Sequence, residues 1–475
     1  MTMHKYFLIF LYTLMITLTS WSQDKWSLER CIQRAIDNNI QLKQNKVQTD
    51  QAALTLQQSK LNQLPSLSGS SGYSFNFGRN VDPLTNSYKS EVFSGNNWGI
   101  SSGALLYGGG QIRTNIALNN SLLEERKLRN QQSLNDVQLN VVLAFMNILF
   151  EEERLNNSQA QLAISQSALE RMMRLIQAGA QPENARYDLE AQIALNEQSV
   201  VGSENNLTQA LLSLKTLLLL DADYNLVIER PEIEIPTDVD PDIFTFADVY
   251  RSALNTQPSM QADEWLLKSS QLAINLAKTQ LQPTLSLGGS VNTAYSNKGL
   301  RVVGTSTVRQ PFDAFFNNDK YTFEVESTIP ITDKSSYWQQ FSDNLGYGLG
   351  LNLNIPIYNR GSVRTRIKSA ELDLNSTALQ VEQNKENLKA TIQRAIADAK
   401  ASKRAFNAAQ KTLDAQKISY ENIQKRLDLG SANTYELIEA KNRFDSAANS
   451  LIINKYDYLF RLKVIDYYLG KPLKI

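Results

Sequence analysis

The sequence predicts a mixed α and β protein that is internally duplicated, combining very long α-helical hairpins with four β-strands per chain. Three observations lead there. Leu28–Ser68 and Phe246–Ser286 run in register at one constant offset, 246 − 28 = 218, so a single supersecondary plan is used twice. Four segments alternate apolar residues with Gly, Ser or Asn at period two. Two stretches, Gly110 to Gly179 and Gly361 to Gly430, each enclose 68 residues (179 − 110 − 1 and 430 − 361 − 1) without glycine or proline.

Residues 1–22 read as a secretory signal peptide: Lys5, an apolar run from Tyr6 to Ile16, then small residues ending at Ser22. Cleavage there makes Gln23 the mature N-terminus and leaves 47 basic against 48 acidic side chains. So even a balance points to neither a nucleic-acid binder nor a polyanion. No later run reaches about 18 continuous apolar residues and the mean hydropathy is −0.34, so a helical membrane protein is not expected. Any membrane contact falls to strands. Cys31 is the only cysteine and can form no internal disulfide. Leu28-Glu29-Arg30-Cys31 superficially resembles a lipidation box, but the residue before such a cysteine should be small. A half-buried helical thiol is the reading adopted.

The first repeat, 23–241, opens with helix and then strands at about 66–77 and 97–107; the second, 242–475, has strands at about 284–295 and 345–355. In the first strand Leu67, Gly69, Ser71, Tyr73, Phe75 and Phe77 share one face, opposite Ser66, Ser68, Ser70, Gly72, Ser74 and Asn76. The last is the clearest, with Leu345, Tyr347, Leu349, Leu351, Leu353 and Ile355 opposite Gly346, Gly348, Gly350, Asn352 and Asn354. Apolar faces with aromatics toward their ends, small polar faces, and about 10 residues per strand suit outer-membrane strands lining water. A soluble amphipathic sheet packed on a core is the competing reading. In lipid an open edge goes unsatisfied, so strands must close into a barrel of about eight or more. Four cannot close, and the chain must oligomerise. Three copies would make a twelve-stranded transmembrane β-barrel with room for a passage.

The glycine-free stretches predict rods on the order of 100 Å at about 1.5 Å per residue. Their apolar stripe is thin, as in Leu413, Tyr420 and Leu427, which predicts helices pairing side by side. Gly179 and Gly430 break the rods, with return helices from about Pro182 to Leu220 and Asn433 to Leu469, Pro182 falling just inside its helix. Asp221–Pro241, acidic and carrying Pro231, Pro236 and Pro241, reads as the connector between repeats. Two long loops remain, about 78–96 and 296–344. The second holds Phe312, Phe315, Phe316, Tyr321, Phe323, Trp338 and Phe341 and is expected to fold over the outer mouth.

Catalysis finds no footing. The only histidine, His4, leaves with the signal peptide, so no histidine acid–base relay and no His-ligated zinc can form. Cys31 has no histidine to activate it, and no Gly-x-Ser-x-Gly or phosphate-cradling loop occurs. No catalytic residue, metal or cofactor is expected. A coiled-coil envelope scaffold is the alternative that the rods alone would allow, but it leaves the period-two strands unexplained.

These residues resemble the TolC family of outer-membrane efflux proteins. The resemblance rests on the duplicated helix and strand entry, the strand exits Tyr107-Gly108-Gly109-Gly110 and Tyr358-Asn359-Arg360-Gly361, and the turn from Leu429-Gly430-Ser431 to Ala440. It implies a homotrimer whose helices form a periplasmic α-barrel below the β-barrel. It also implies partners: a periplasmic adaptor (membrane fusion protein), an inner-membrane transporter such as a resistance-nodulation-division pump, and outer-membrane lipid, but no nucleic acid. The implied function is the exit duct of a tripartite efflux pump, with the channel of a type I protein secretion system as the alternative. By position, Ala178, Gly179 and Ala180, with Leu429, Gly430 and Ser431, correspond to the tips that meet the adaptor; each glycine also simply supplies a positive φ at a helix end. Glu436 and Glu439 stand near where some relatives carry gate aspartates. Six such carboxylates in a trimer would gather negative field at a periplasmic gate. The alternative is two solvated glutamates near a helix N-terminus. Asp188 and Glu190 correspond only approximately in the first repeat. Arg360, Arg364, Arg366 and Lys368 read as a solvated first stretch of helix.

Overall fold

The computed structural model describes residues 25–81, 88–90, 92–179, 181–231, 240–317 and 319–471, so the signal peptide expected at 1–22 lies outside the described residues. The elements repeat as the sequence does. Helices α1 (Leu28–Asn38) and α2 (Ile40–Leu61) lead into β1 (Ser66–Asn76), a short hairpin β2 (Arg79–Val81) and β3 (Tyr88–Ser90), and β4 (Phe93–Tyr107). Then come α3 (Gln111–Gln177) and α4 (Ala185–Leu218). The second pass gives α5 (Phe246–Thr256), α6 (Pro258–Thr279), β5 (Thr284–Ser296), β6 (Leu300–Phe316), β7 (Asp319–Lys334), α7 (Tyr337–Asp343), β8 (Gly346–Asn354), α8 (Ser362–Asp428) and α9 (Thr434–Tyr468). Both α3 and α8 are unbroken helices of 67 residues. Each ends beside the glycine that its sequence places there, because only a positive φ turns the chain without strain: +72° at Gly179 and +73° at Gly430.

The chain divides into two compact units. One consists of the described residues of Met1–Ala53, Ser121–Lys268 and Asn375–Ile475 and is helical. Its largest core gathers Trp26, Cys31 and Ala35 with Val141, Val142, Phe145 and Met146 of α3, Leu214 and Leu218 of α4, and Tyr456 and Leu459 of α9. Each large side chain so buried contributes roughly 1.5–3 kcal/mol relative to exposure. A second cluster repeats the arrangement one copy later. Val249 and Ala253 of α5 stand 218 positions after Cys31 and Ala35 and pack on Ile392 and Ile396 of α8, the counterparts of Val141 and Phe145 in α3. The duplicated helix therefore buries the same face in both repeats. Ser27 and Thr245 cap it alike, accepting from the amides of Arg30 and Asp248 at 3.2 Å.

The other unit, Leu54–Asn120 and Ser269–Leu374, carries all eight strands found among the described residues. Four of them form one antiparallel sheet in the order β1-β4-β5-β8. The register pairs Leu67 with Ser102, Gly69 with Ile100, Ile100 with Val291, and Val291 with Tyr347. Directly opposed residues share a face, so the apolar sets of all four strands fall on one side of the sheet. Ser70, Gly99, Asn292 and Gly346 represent the other side, made almost wholly of Gly, Ser and Asn. A bulge between Leu105 and Tyr107 shifts the β4 and β5 register at the strand exit.

Several expectations are corrected. Pro182 lies outside its helix: α4 begins at Ala185, and the Pro182 carbonyl accepts from the Ala185 amide at 3.1 Å in the preceding turn. The segment 296–344 is no loop. It forms the hairpin β6–β7, paired from Leu300↔Lys334 to Phe316↔Asp319, and the helix α7. Pro311 and Pro330 hid these strands from sequence reading, but in a two-stranded ribbon every strand is an edge and tolerates proline. Strand β4 starts at Phe93, earlier than expected. An 18-residue window of α3 reaches a mean hydropathy of 1.3 and is long and apolar enough to cross a membrane. Its helix places Val141, Val142, Phe145, Met146, Ile148 and Leu149 in the core just described, so there this apolarity serves helix packing.

Candidate functional site

Two features stand out chemically: the sheet, and the ends of the long helices. Among the described residues β1 pairs only with β4 and β8 only with β5, leaving one ladder edge open on each side of the sheet. Leu67, Tyr73, Phe75, Tyr347, Leu349 and Leu351 on its apolar face are all exposed within one chain. A sheet apolar on one face, small and polar on the other, and open at both edges is incomplete by itself. With β1 and β8 running in opposite directions, copies can join edge to edge with antiparallel pairing throughout.

At the second helix turn the amide of Gly430 donates to the Leu427 carbonyl at 2.9 Å and that of Ser431 to the Arg426 carbonyl at 2.8 Å. This paired closure satisfies carbonyls that a helix end otherwise leaves bare. Leu429 projects from it, 83% exposed. The first turn repeats the inner bond, Gly179 to Ile176 at 2.9 Å; Ala178 lies within the described turn, whereas Ala180 lies outside the described residues. From α3 to α4 there are two more residues than from α8 to α9, which is why Asp188 and Glu190 correspond only approximately to Glu436 and Glu439.

Asn433 caps α9 by accepting from the Glu436 amide at 2.9 Å. The Glu436 carboxylate lies 3.5 Å from the Arg426 guanidinium on α8, and Glu439 is bonded to Arg443 one turn further along α9. Glu190 in the first repeat has Arg186 at 4.0 Å. Sequence reasoning selected the acids and passed over the arginines. The i,i+4 spacing of Glu439 and Arg443 was the available signal; Arg426 and Glu436 meet only because the hairpin folds back. Arg366 donates to the Gln280 side chain at 2.6 Å and Lys368 pairs with Glu371 at 3.1 Å, so these two basic residues are engaged locally.

Beneath the tips the packing turns polar. Lys441 and Asp445 form a buried ion pair on α9, and burial pushes the Asp445 carboxyl above its usual range despite the lysine. Ser158 and Ser203 share a hydrogen bond at 3.1 Å, and Asn196 donates to the Ser165 hydroxyl at 2.7 Å. Tyr420 of α8 stacks on Phe444 with ring centres 5.7 Å apart. A groove of about 400 Å³ lies here, lined by Arg171 and Met172 of α3, Leu189 of α4, Tyr420 and Gln424 of α8, and Leu437 of α9. Among the described residues no group of three or more His, Cys, Asp or Glu side chains is placed to hold a metal ion.

Residues 249–471 match the profile of the outer membrane efflux protein family. Over 147 residues, 31% of this chain, the sequence is 22% identical to the outer membrane protein TolC of Salmonella enteritidis; the match covers 30% of that protein's length. Its fold is similar to that of CusC over 94% of this chain and 92% of that one, with a TM-score of 0.74 at 14% identity. VceC of Vibrio cholerae is similar at a TM-score of 0.74 and 12% identity, covering 94% and 97% of the two chains. The outer membrane channel CmeC of Campylobacter jejuni follows at 0.72 and 17%, covering 95% and 90%. These likenesses establish the fold: long helices with a four-stranded antiparallel sheet, as in outer-membrane channels.

Proposed function

We propose, from the match of residues 249–471 to the outer membrane efflux protein family, that three copies of this chain form the passive exit duct of a tripartite efflux pump. The observation that carries this reading is the sheet: one apolar face, one small polar face and two open edges. Closure by β1 of one chain against β8 of the next satisfies every edge in lipid and turns the apolar face outward and the Gly, Ser and Asn face toward water. The long helices wall the periplasmic tunnel. A duct needs no reacting group, and substrate choice then rests with the pump and the adaptor.

The helical ends are the adaptor-contacting tips and the gate in this reading. Ala178, Gly179, Leu429, Gly430 and Ser431 present the turns, and Leu429 offers an apolar knob for an adaptor hairpin. Glu436 and Glu439 stand at the entrance with Arg426 and Arg443. The gate is therefore a set of ion pairs that can be exchanged between neighbouring helices, in place of a bare ring of acid. Residues 1–22 serve as the export signal.

The test is the mass of the detergent-extracted mature protein, corrected for bound detergent, followed by conductance in planar bilayers. A trimer that conducts is expected. A stable, non-conducting monomer would overturn the duct.

A further inference from the structure

Helix α7 lies on the apolar side of the sheet. The Trp98 indole donates to the Tyr337 hydroxyl at 3.0 Å, and that hydroxyl donates to the Asn96 side chain at 3.1 Å. The Thr293 hydroxyl donates to the Phe341 carbonyl at 2.7 Å. Gln340 is buried; its oxygen accepts from the Ser296 amide at 2.9 Å and its nitrogen donates to the carbonyls of Ser296 and Ser335, each at 3.0 Å. Gly299 makes room for it, since a Cβ there would stand 2.3 Å from the Gln340 amide group. Asn96, Trp98 and Thr293 all belong to the apolar face by register. A seven-residue helix has thus been fastened, through polar bonds, onto a surface that the duct turns toward hydrocarbon.

Between α7 and the strands lies a groove of about 490 Å³ lined by Trp98, Ile100, Val291, Thr293, Phe341 and Leu345, with Gly69 and Ser71 of β1 at its open side. Of the polar side chains that line it, Trp98 is engaged with Tyr337 and Thr293 with the Phe341 carbonyl, Ser71 stands at the open side, and Ser70 and Asn292 belong to the opposite face of the sheet by register. The walls on this face are Ile100, Val291, Phe341 and Leu345, so the groove suits an apolar occupant. Tyr295, Tyr337, Trp338 and Phe341 cluster at this end of the strands, with Trp338 76% exposed, the composition that marks the headgroup level of a membrane.

We propose that this groove is a lipid site, holding one acyl chain of an outer-membrane lipid clamped under α7. The inference rests on the barrel reading, because only that reading turns the groove toward lipid. The clamp fixes a lipid at each chain's sheet, beside the β1 edge where the next chain pairs.

The test uses the full mature protein with Trp338→Phe, reconstituted in phosphatidylcholine vesicles whose acyl chains carry bromine at mid-chain, a contact quencher of tryptophan. Of the remaining described tryptophans, Trp26 and Trp265 sit in the helical unit, so quenching reports Trp98 in the groove. A second variant adds Gly69→Leu, where a new Cβ meets nothing within 4 Å and the side chain can fill the groove; Val291→Phe serves the same purpose should that variant fail to assemble. Strong quenching of Trp98, largely lost in the filled variant while the trimer still conducts, is expected. Absence of quenching in a conducting trimer would mean that the neighbouring chain fills the groove and overturns the lipid site alone. Equal quenching with the groove filled would mean that Trp98 meets bulk lipid, which also overturns it. A non-conducting monomer would overturn the duct reading itself.

Discussion

Arg426 and Glu436 face one another across the second helical hairpin, guanidinium to carboxylate 3.5 Å apart. The same guanidinium donates to the Ser431 carbonyl at 2.9 Å, so one side chain both fastens the turn and neutralises the acid behind it. Both partners are more than a third exposed, and the pair contributes no more than about 1 kcal/mol to stability. Its consequence is electrostatic. Arg426→Ala should leave the melting temperature nearly unchanged and make the residual current in planar bilayers more cation-selective; adding Glu436→Gln should reverse that gain. Unaltered selectivity in Arg426→Ala would remove Glu436 from the entrance.

Gly430 carries a φ of +73° in the bonded turn before α9. An alanine there is forced into the left-handed region at a cost of about 1–2 kcal/mol, whereas asparagine tolerates it better. Denaturant unfolding should rank the proteins glycine, asparagine, alanine in falling stability. Gly179→Ala should behave as Gly430→Ala does.

Lys441 and Asp445 are both buried, and neither can be removed alone cheaply. Asp445→Ala strands the ammonium in the packing and should cost about 3–5 kcal/mol, while Lys441→Met with Asp445→Leu should return most or all of that. The folded carboxyl titrates above its ordinary 3.8, chiefly through burial. The native state thus holds that proton more tightly than the unfolded chain. Stability from this site is fully present below pH 3.8 and is lost as pH rises through the folded value. Unfolding of Asp445→Asn across the same range should lack that slope.

Cys31 is fully buried, and burial pushes its thiol up to about 12. Alkylation by iodoacetamide at pH 8 should be undetectable in the folded protein and rapid once it is unfolded, since the thiolate is the reactive form. The second repeat holds Val249 at this position. Cys31→Val should therefore cost less than about 1.5 kcal/mol, the range of volume-conserving core changes. Fast labelling of the native state would show that α1 opens.

Gly109 and Arg360 occupy one position of the two repeats, with φ of +61° and +54°. Arginine can stand in the second copy, but in the first a Cβ would lie 2.4 Å from the Gln282 Cβ. Gly109→Ala should cost roughly 1–3 kcal/mol for the backbone alone and more from crowding, with partial rescue by Gln282→Gly. Arg360→Gly should be neutral or stabilising.

The duplication, the 67-residue helices and the four alternating strands of the sheet were legible because each is written in local pattern: a repeated order of residues, an absence of Gly and Pro, a period of two. The hairpin β6–β7 was not, since its prolines and charges break the period and its strands are edges facing solvent, where no buried face imposes alternation. The place of Pro182 was missed because a proline suits both a first helical turn and the turn before it. Glu436 and Glu439 could be selected by spacing from Gly430, but Arg426 could reach Glu436 only after the hairpin had closed.

By itself the sequence determined that two long rods end at Gly179 and Gly430, which face of the four sheet strands is apolar, and that one plan is used twice, because backbone sterics and side-chain alternation act within a few residues. Tertiary structure decided that Ile100 stands between Gly69 and Val291, that α7 lies over that face, and that Lys441 and Asp445 are shut away from water. Pairing register and burial are set by contacts between segments tens to hundreds of residues apart, and no local pattern carries that information.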